Sequence, residues 1–195
     1  MAYDPVAESI ALIERGLPEA PPRLSRRRRW AALAVDVDGD IAGTLFTVRG
    51  PGHVRHERHL LARVRGAWTV LGGGSGGGDV DGGLADRPST AELGAPAVVV
   101  GRGSVVRGSD RRVPRGAGYV SDAELLVSSD VHSVVVAGSR VLTVPRHGRL
   151  VVVWSGRQPP AVVARDAAAH PLGEVRLASP GARRLPEWYP DAPGD

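Results

Sequence analysis

Two periodicities of hydrophobic residues divide the chain. Near the amino terminus the apolar positions recur at helical spacing, and Asp4 and Pro5 are a typical N-cap and first helical residue. Gly16 and Pro18 follow as helix-ending residues. The pattern predicts a short amphipathic helix over residues 5–15, which either docks on the protein's own sheet or presents a face to a partner. That candidate partner face consists of Val6, Ile10, Ile13 and Leu17.

From Trp30 onward the apolar residues alternate with polar ones, which is typical of β-strands. The pattern predicts two strands joined near Asp38-Gly39 and a second pair that turns at Arg65-Gly66. We therefore expect a four-strand antiparallel meander that ends at Leu71. The helix and the meander together form a predicted first part, residues 1–71.

Strand patterns resume at Ala97 and recur about every ten residues, with turn residues between them. This spacing predicts an antiparallel β-sandwich of about six or seven strands over residues 97–180. Residues 119–128 are predicted as a strand or as a short helix with a capping box. Residues 181–195 are predicted as a Pro-rich tail. The fold class is mainly β, and the pattern leaves open whether the two β parts form one sheet system or two domains.

A glycine-rich tract, residues 71–83, lies between the two β parts. Its glycines match the spacing of a dinucleotide-binding loop, and Gly73–Gly77 matches the G-x-S-x-G of a hydrolase nucleophile turn. Both motifs require a helix directly after the glycines, and residues 79–83 do not predict one. Residues 72–96 are therefore predicted as a flexible Gly/Pro-rich linker, with the tract as a hinge.

The composition changes the interpretation of the charge. All 25 basic residues are arginine, and lysine and asparagine are absent, which is typical of a bacterial genome with a high GC content. The pI near 10.5 therefore reflects guanidinium groups that do not titrate, and the formal net charge is only +4. The absence of cysteine excludes disulfides and thiolate metal sites. Because no signal peptide and no membrane-spanning run is predicted, we expect a soluble cytoplasmic protein.

Acidic residues at two places have spacings that resemble functional sites. Asp36, Asp38 and Asp40 alternate like the start of a calcium loop, but the later glycine and glutamate of such a loop are missing. An exposed face of the hairpin is the favoured interpretation. Residues 128–132 hold a serine, an aspartate and a histidine on one predicted strand face, where side chains point in parallel and do not converge as in a catalytic triad.

The histidines form no predicted metal site. His53, His56 and His59 would alternate between the two faces of a strand and could not share one ion. His147 and His170 lie in predicted exposed turns. No catalytic, cofactor-binding or metal-binding residue is therefore predicted.

Two arginine clusters are the candidate contact surfaces for an anion or a partner. One is the run of four at residues 26–29, which Trp30 follows. The other lies in a predicted Gly-containing loop and comprises Arg102, Arg107, Arg111, Arg112 and Arg115. Nucleic-acid surfaces usually add aromatic rings or a helix that enters a groove, and the loop has neither. Solvated arginine that results from codon usage is therefore favoured over phosphate binding.

The expected function is non-catalytic: a cytoplasmic binding or scaffolding protein that engages another macromolecule, with a protein as the favoured partner and with no cofactor and no membrane. A first alternative is arginine-mediated binding of nucleic acid or another polyanion. A second is an enzyme with a site between the two β parts, which would require His56, His59 or His132 to meet an acid there. The oligomeric state is left open, since an all-β chain can pair through exposed edges.

Overall fold

The computed structural model describes residues 3–18, 24–77, 86–107, 118–156 and 158–177. Helix α1 spans Pro5–Arg15, as predicted. The Asp4 carboxylate accepts hydrogen bonds from the amides of Val6 and Ala7 at 3.0 and 3.2 Å, and the helix ends at Gly16 with a φ of +77°. Within the described part of the chain, neither α1 nor any other helix is long and apolar enough to cross a membrane.

The first four strands form an antiparallel meander in the order β1-β2-β3-β4. They are β1 (Trp30–Asp38), β2 (Ile41–Arg49), β3 (Val54–Val64) and β4 (Ala67–Gly77). Gly39 has a φ of +62°, and Arg65 and Gly66 have φ values of +53° and +86°. Both predicted hairpin turns are thus confirmed, with the left-handed backbone that short hairpins favour.

Strand β4 continues beyond Leu71, and the hinge prediction is wrong for residues 72–77. These glycines and the serine among them pair in register with β3. A Cβ atom on Gly73 would lie only 2.3 Å from the carbonyl oxygen of Arg58. Glycine at this position therefore serves the close approach of two backbones and not flexibility. Residues 78–83 of the tract lie outside the described residues.

The predicted linker also contains a helical turn, α2 (Thr90–Leu93). The Ser89 hydroxyl accepts from the amide of Glu92 at 3.2 Å, and the Glu92 carboxylate accepts from the amide of Ser89 at 2.7 Å. This reciprocal capping box satisfies two amides at the start of the turn. The amide of Thr90 in turn donates to the carboxylate of Asp130 at 3.0 Å, which ties α2 to a distant loop.

The seven remaining strands form two further antiparallel sheets. They are β5 (Ala97–Val106), β6 (Tyr119–Val127), β7 (Ser133–Val136), β8 (Arg140–Thr143), β9 (Arg149–Ser155), β10 (Val162–Arg165) and β11 (Pro171–Glu174). The sheet orders are β5-β6-β9 and β11-β10-β7-β8. The sandwich prediction is confirmed, and residues 119–127 form a strand. Between these two sheets lies the largest buried cluster, which includes Leu125, Val134, Val152, Trp154 and Val162.

The β5-β6-β9 sheet is the middle of three layers, because the meander packs on its other face. Val153 packs against Ile41 and Leu60, and Val151 packs against Leu33. Residues 150–154 of β9 are therefore buried on both faces, which explains their unbroken apolar sequence. The two β parts thus share buried surface. On the outer face of the meander, α1 packs through Leu12.

Candidate functional site

A buried group of ionisable side chains, the inter-sheet ionic cluster, joins the meander to the middle sheet. Its members are His56, Arg58, Asp122, Glu124 and Arg149. His56 Nδ1 donates to Glu124 Oε1 at 2.9 Å, and Arg149 Nη1 lies 3.4 Å from the same oxygen. Arg58 Nη1 donates to Asp122 Oδ2 at 2.7 Å. Each acid on β6 therefore has an arginine partner: Asp122 pairs with Arg58 of β3 in the facing sheet, and Glu124 pairs with Arg149 of the adjacent strand β9.

Glycines in β5 leave room for the acids of this cluster. A Cβ atom on Gly103 would lie 2.4 Å from Asp122 Oδ1, and one on Gly101 would lie 3.3 Å from Glu124 Oε2. Burial raises the pKa of Asp122, although the neighbouring Arg58 guanidinium acts in the opposite direction. Sequence reasoning missed the cluster because its members are distant along the chain.

One part of the enzyme hypothesis agrees with this geometry, since His56 does meet an acid from the second β part. His56 is only 3% exposed and Glu124 only 6% exposed. A substrate cannot reach either side chain in this arrangement. His59 lies apart from the cluster, where its Nδ1 is 2.9 Å from the hydroxyl of Ser9 on α1. His132 is exposed in a loop, so the three named histidines do not assemble one site.

The aspartates of the first hairpin are not all on an exposed face, which corrects the prediction. Asp36 is 2% exposed, and its Oδ2 accepts from the amide of Val153 at 2.8 Å and lies 3.1 Å from Arg140. Burial raises the pKa of Asp36 to about 6, against the effects of that amide and of Arg140. Asp38 pairs with Arg140 at 2.7 Å, and Asp40 pairs with Arg107. Asp36 and Asp38 thus share Arg140, and Asp40 pairs with a different arginine.

Further predicted positions are also corrected. His147 lies in a turn but is 4% exposed, and its Nδ1 accepts from the amide of Arg149 at 3.1 Å. Burial, followed by the charge of Arg149, lowers the pKa of His147 to about 4.

Residues 128–132 form a turn and not a strand face, and the hydroxyl of Ser128 lies 2.8 Å from that of Thr90 in a hydrogen bond. Among the described residues no three His, Asp or Glu side chains are grouped to hold a metal.

In the part of the chain that the structure describes, an open surface pocket of about 430 Å³, the arginine pocket, is the clearest candidate for a ligand. Its lining combines four arginines with two aromatic rings and consists of Tyr3, Arg27, Arg29, Trp30, Val48, Arg49, Gly50, Pro51 and Arg55. The β1–β2 pairing places Trp30 opposite Val48. The turn between β2 and β3 then brings Arg55 back towards Arg49.

Among the described residues, the arginines of the pocket have few acidic partners. Arg55 pairs with Glu57 on the same strand at 2.6 Å, and Arg29 Nε donates to the carbonyl of Arg49 at 3.2 Å. In residues 3–18, 24–77, 86–107, 118–156 and 158–177, no other carboxylate forms an ion pair with an arginine of the pocket. Within that part of the chain, the guanidinium groups of Arg27, Arg29 and Arg49 therefore have no acidic partner.

The aromatic side of the pocket is built by packing under α1. The ring of Tyr3 lies 5.6 Å from that of Trp30, and Trp30 lies 6.1 Å from Phe46. Burial and the nearby Glu57 carboxylate raise the pKa of Tyr3, so its hydroxyl stays neutral. Trp30 also lines a second cavity of about 300 Å³, the apolar groove, together with Leu12, Leu17, Pro18, Ala32 and Phe46.

The predicted contact residues are placed as follows. Of the arginine loop, the structure describes only Arg102, which is exposed, and Arg107, which binds Asp40 through both terminal nitrogens. Arg111, Arg112 and Arg115 lie outside the described residues. On α1, Val6 is 45% exposed. Ile10, Ile13 and Leu17 are half-buried, and the most buried helix positions are Ser9 and Leu12.

Comparison of the chain with known protein families, curated proteins and solved structures finds no match. The candidate site therefore rests on geometry alone. The sequence shows the arginine run at residues 26–29 next to Trp30. It does not indicate that Tyr3, Arg49 and Arg55 lie in the same pocket. The predicted hairpins could have indicated the pocket, because pairing β1 with β2 and β2 with β3 brings the start of β1, the end of β2 and the start of β3 together.

Proposed function

We propose that this protein is a non-catalytic binding protein whose arginine pocket holds a phosphate-bearing polyanion. The observation that carries the proposal is the convergence of four guanidinium side chains and two aromatic rings on one pocket. Guanidinium groups bind phosphate through paired hydrogen bonds, and their charge does not depend on pH in the usable range.

The unequal charge around the pocket supports an anionic ligand. Glu57 offsets Arg55, while Arg27, Arg29 and Arg49 face solvent or backbone. The cost of holding like charges together falls when a ligand supplies negative charge. A polyanion fits better than a single carboxylate, because several phosphates can contact several guanidinium groups at once.

The buried charges support a non-catalytic role. His56 and Glu124 are the acid–base pair that an enzyme hypothesis would use, and the layers of the fold cover both. General acid–base catalysis requires a group within hydrogen-bond reach of the substrate. We therefore assign the pair to joining the two sheets.

The alternative ligand for a binding protein of this kind is another protein that docks on α1. Leu12 and Ser9 of α1 already pack on the meander, and the half-buried Ile10 and Ile13 offer little further apolar area. A helix whose apolar face is engaged within its own fold presents a weak docking surface. The observations therefore favour the polyanion.

The test is the binding of fluorescein-labelled oligothymidylate, about 12 nucleotides long, measured by anisotropy over a salt series. Contacts to three or four phosphates predict a slope of about −2 to −3 in log K against log salt concentration. The double variant Arg27→Ala/Arg49→Ala should weaken binding about tenfold or more and reduce the slope by about 1 to 2.

The matched control is Arg146→Ala/Arg176→Ala, which removes the same charge from outside the pocket. The Arg146 side chain is 86% exposed, and Arg176 is exposed as well. This control should leave affinity within about twofold, as expected for distant charges under screening. Equal losses in both double variants would indicate nonspecific attraction and overturn the pocket assignment. No binding at low salt would overturn the proposed function and leave the protein-partner prediction in its place.

A further inference from the structure

We propose that the arginine pocket and the apolar groove together form a nucleotide site, with the phosphate on the guanidinium groups and the base against Trp30. This inference rests on the proposed function and names the chemistry of its ligand. Trp30 carries the argument, because this residue lines both cavities. A ligand that spans the two would place an anionic group among the arginines and a flat ring in the groove.

The sizes of the two cavities suit this ligand. The arginine pocket has about 430 Å³ and the groove about 300 Å³, which is the scale of sites for small ligands. The groove is not purely apolar, since Glu8, Arg15 and Arg28 also line it. A nucleobase can use such polar groups at its edge while its face contacts an aromatic ring.

The rings under α1 hold Trp30 in a fixed orientation. Phe46 meets Trp30 edge-on at an interplanar angle of 70°, and Tyr3 packs against it at 39°. Phe46 is fully buried, so the stack is anchored in the core beneath α1. A rigid aromatic side chain loses little entropy when a base packs on it, and stacking tolerates any base.

The experiment compares ligands that differ only in the base. Oligothymidylate and an abasic deoxyribose-phosphate oligomer of the same length are titrated against the wild-type protein, and inorganic tripolyphosphate and thymidine 5′-monophosphate are used as competitors. We expect oligothymidylate to bind about tenfold more tightly than the abasic oligomer. Competition by the monophosphate would show that a free nucleotide is enough to occupy the site. Competition by oligomers alone would show that the ligand is a nucleic-acid strand.

Two tryptophan variants locate the base. Trp30→Leu should reduce the affinity for oligothymidylate to that for the abasic oligomer and leave the abasic affinity unchanged, while Trp30→Phe should retain most of the difference. Trp68→Leu is the control, because Trp68 lies on β4 beneath the guanidinium of Arg63 and outside both cavities. The comparison of ligands on the wild-type protein needs no variant, so a folding defect at position 30 does not remove the test.

The outcomes separate the inference from the proposed function. Equal affinity for the oligomers with and without bases overturns the nucleotide site but leaves polyanion binding intact. The same result follows if Trp68→Leu, and not Trp30→Leu, removes the effect of the base. Phosphatidylglycerol vesicles are titrated in the same way, and tighter binding to them than to oligothymidylate would also overturn the nucleotide site. Failure of every phosphate ligand to bind overturns both proposals.

Discussion

The imidazole of His56 on β3 donates to the carboxylate of Glu124 on β6 across 2.9 Å. This contact connects two separate sheets, which share no hydrogen-bonded pair of strands. Arg58 and Arg149 lie on the same carboxylate, 3.7 and 3.4 Å away. Charges buried in this way depend on one another, because each would be costly without its partner. We therefore expect the cluster to favour this one arrangement of the two β parts.

Glu124→Gln should therefore lower the free energy of unfolding by about 3 kcal/mol, since it leaves three buried cationic or hydrogen-bonding partners without the carboxylate. Urea denaturation followed by circular dichroism measures the change. Glu174→Gln is the matched control at an exposed position and should change stability by less than about 0.5 kcal/mol. A loss below about 1 kcal/mol for Glu124→Gln would contradict the assigned role.

Asp36 makes stability depend on pH in one direction. Its pKa in the folded protein is about 6, above the ordinary value of 3.8, so the folded state binds the proton more tightly than the unfolded state. The resulting stability is present below about pH 4 and is lost as the pH rises to about 6, by about 3 kcal/mol. The stability of Asp36→Asn relative to the wild type should therefore increase by that amount between about pH 4 and 7.

His147 acts in the opposite direction over the same range. Its pKa in the folded protein is about 4, below the ordinary value of 6.5, so the unfolded state binds the proton more tightly. Stability from this group is present above about pH 6.5 and is lost as the pH falls to about 4. The stability of His147→Gln relative to the wild type should therefore decrease by about 3 kcal/mol between about pH 4 and 7.

Urea titrations at several pH values test both variants, and each is the control for the other because the expected slopes have opposite signs. Burial also raises the pKa of Asp122 and lowers that of His59, so two further groups oppose each other in the wild type. Slopes of the same sign for Asp36→Asn and His147→Gln would show that the burial of one group is misassigned.

The role of the glycine tract can be tested within one strand. A Cβ atom on Gly73 would lie 2.3 Å from the carbonyl oxygen of Arg58, whereas one on Gly76 would meet nothing within 4 Å. Gly73→Ala should cost about 1–3 kcal/mol of stability, because two paired backbones must separate. Gly76→Ala should be neutral or stabilising by a few tenths of a kcal/mol, since alanine reduces the entropy of the unfolded chain. Thermal denaturation of the pair measures both, and equal, small effects would support a hinge at residues 72–77.

Docking of α1 can be measured by truncating one side chain on each of its faces. Leu12 is buried against Phe46, and Val6 is exposed. Leu12→Ala should cost about 2–4 kcal/mol, and Val6→Ala should cost less than about 0.5 kcal/mol. Urea denaturation gives both values. A larger cost for Val6→Ala than for Leu12→Ala would mean that the helix packs through the predicted Val6 face instead.

Local signals in the sequence determined the elements. Asp4, Pro5 and Gly16 define α1 because capping depends on neighbouring residues, and Asp38-Gly39 and Arg65-Gly66 define hairpins because a turn needs only its own backbone angles. The recurrence of strands about every ten residues is also a local signal, and it was sufficient to predict the sandwich.

Contacts between distant residues decided which side chains are buried or paired. The sequence pattern of one strand does not show which elements pack against its two faces. The sequence of Gly72–Gly77 predicts a linker, but these residues pair with β3. The alternation of the first hairpin predicts an exposed Asp36, but its carboxylate accepts from the amide of Val153 on β9. The arginine pocket likewise exists only where Tyr3, Trp30 and Arg49 meet from separate elements. Burial, ion pairing and pockets depend on the stacking of three layers, so only the tertiary structure could establish them.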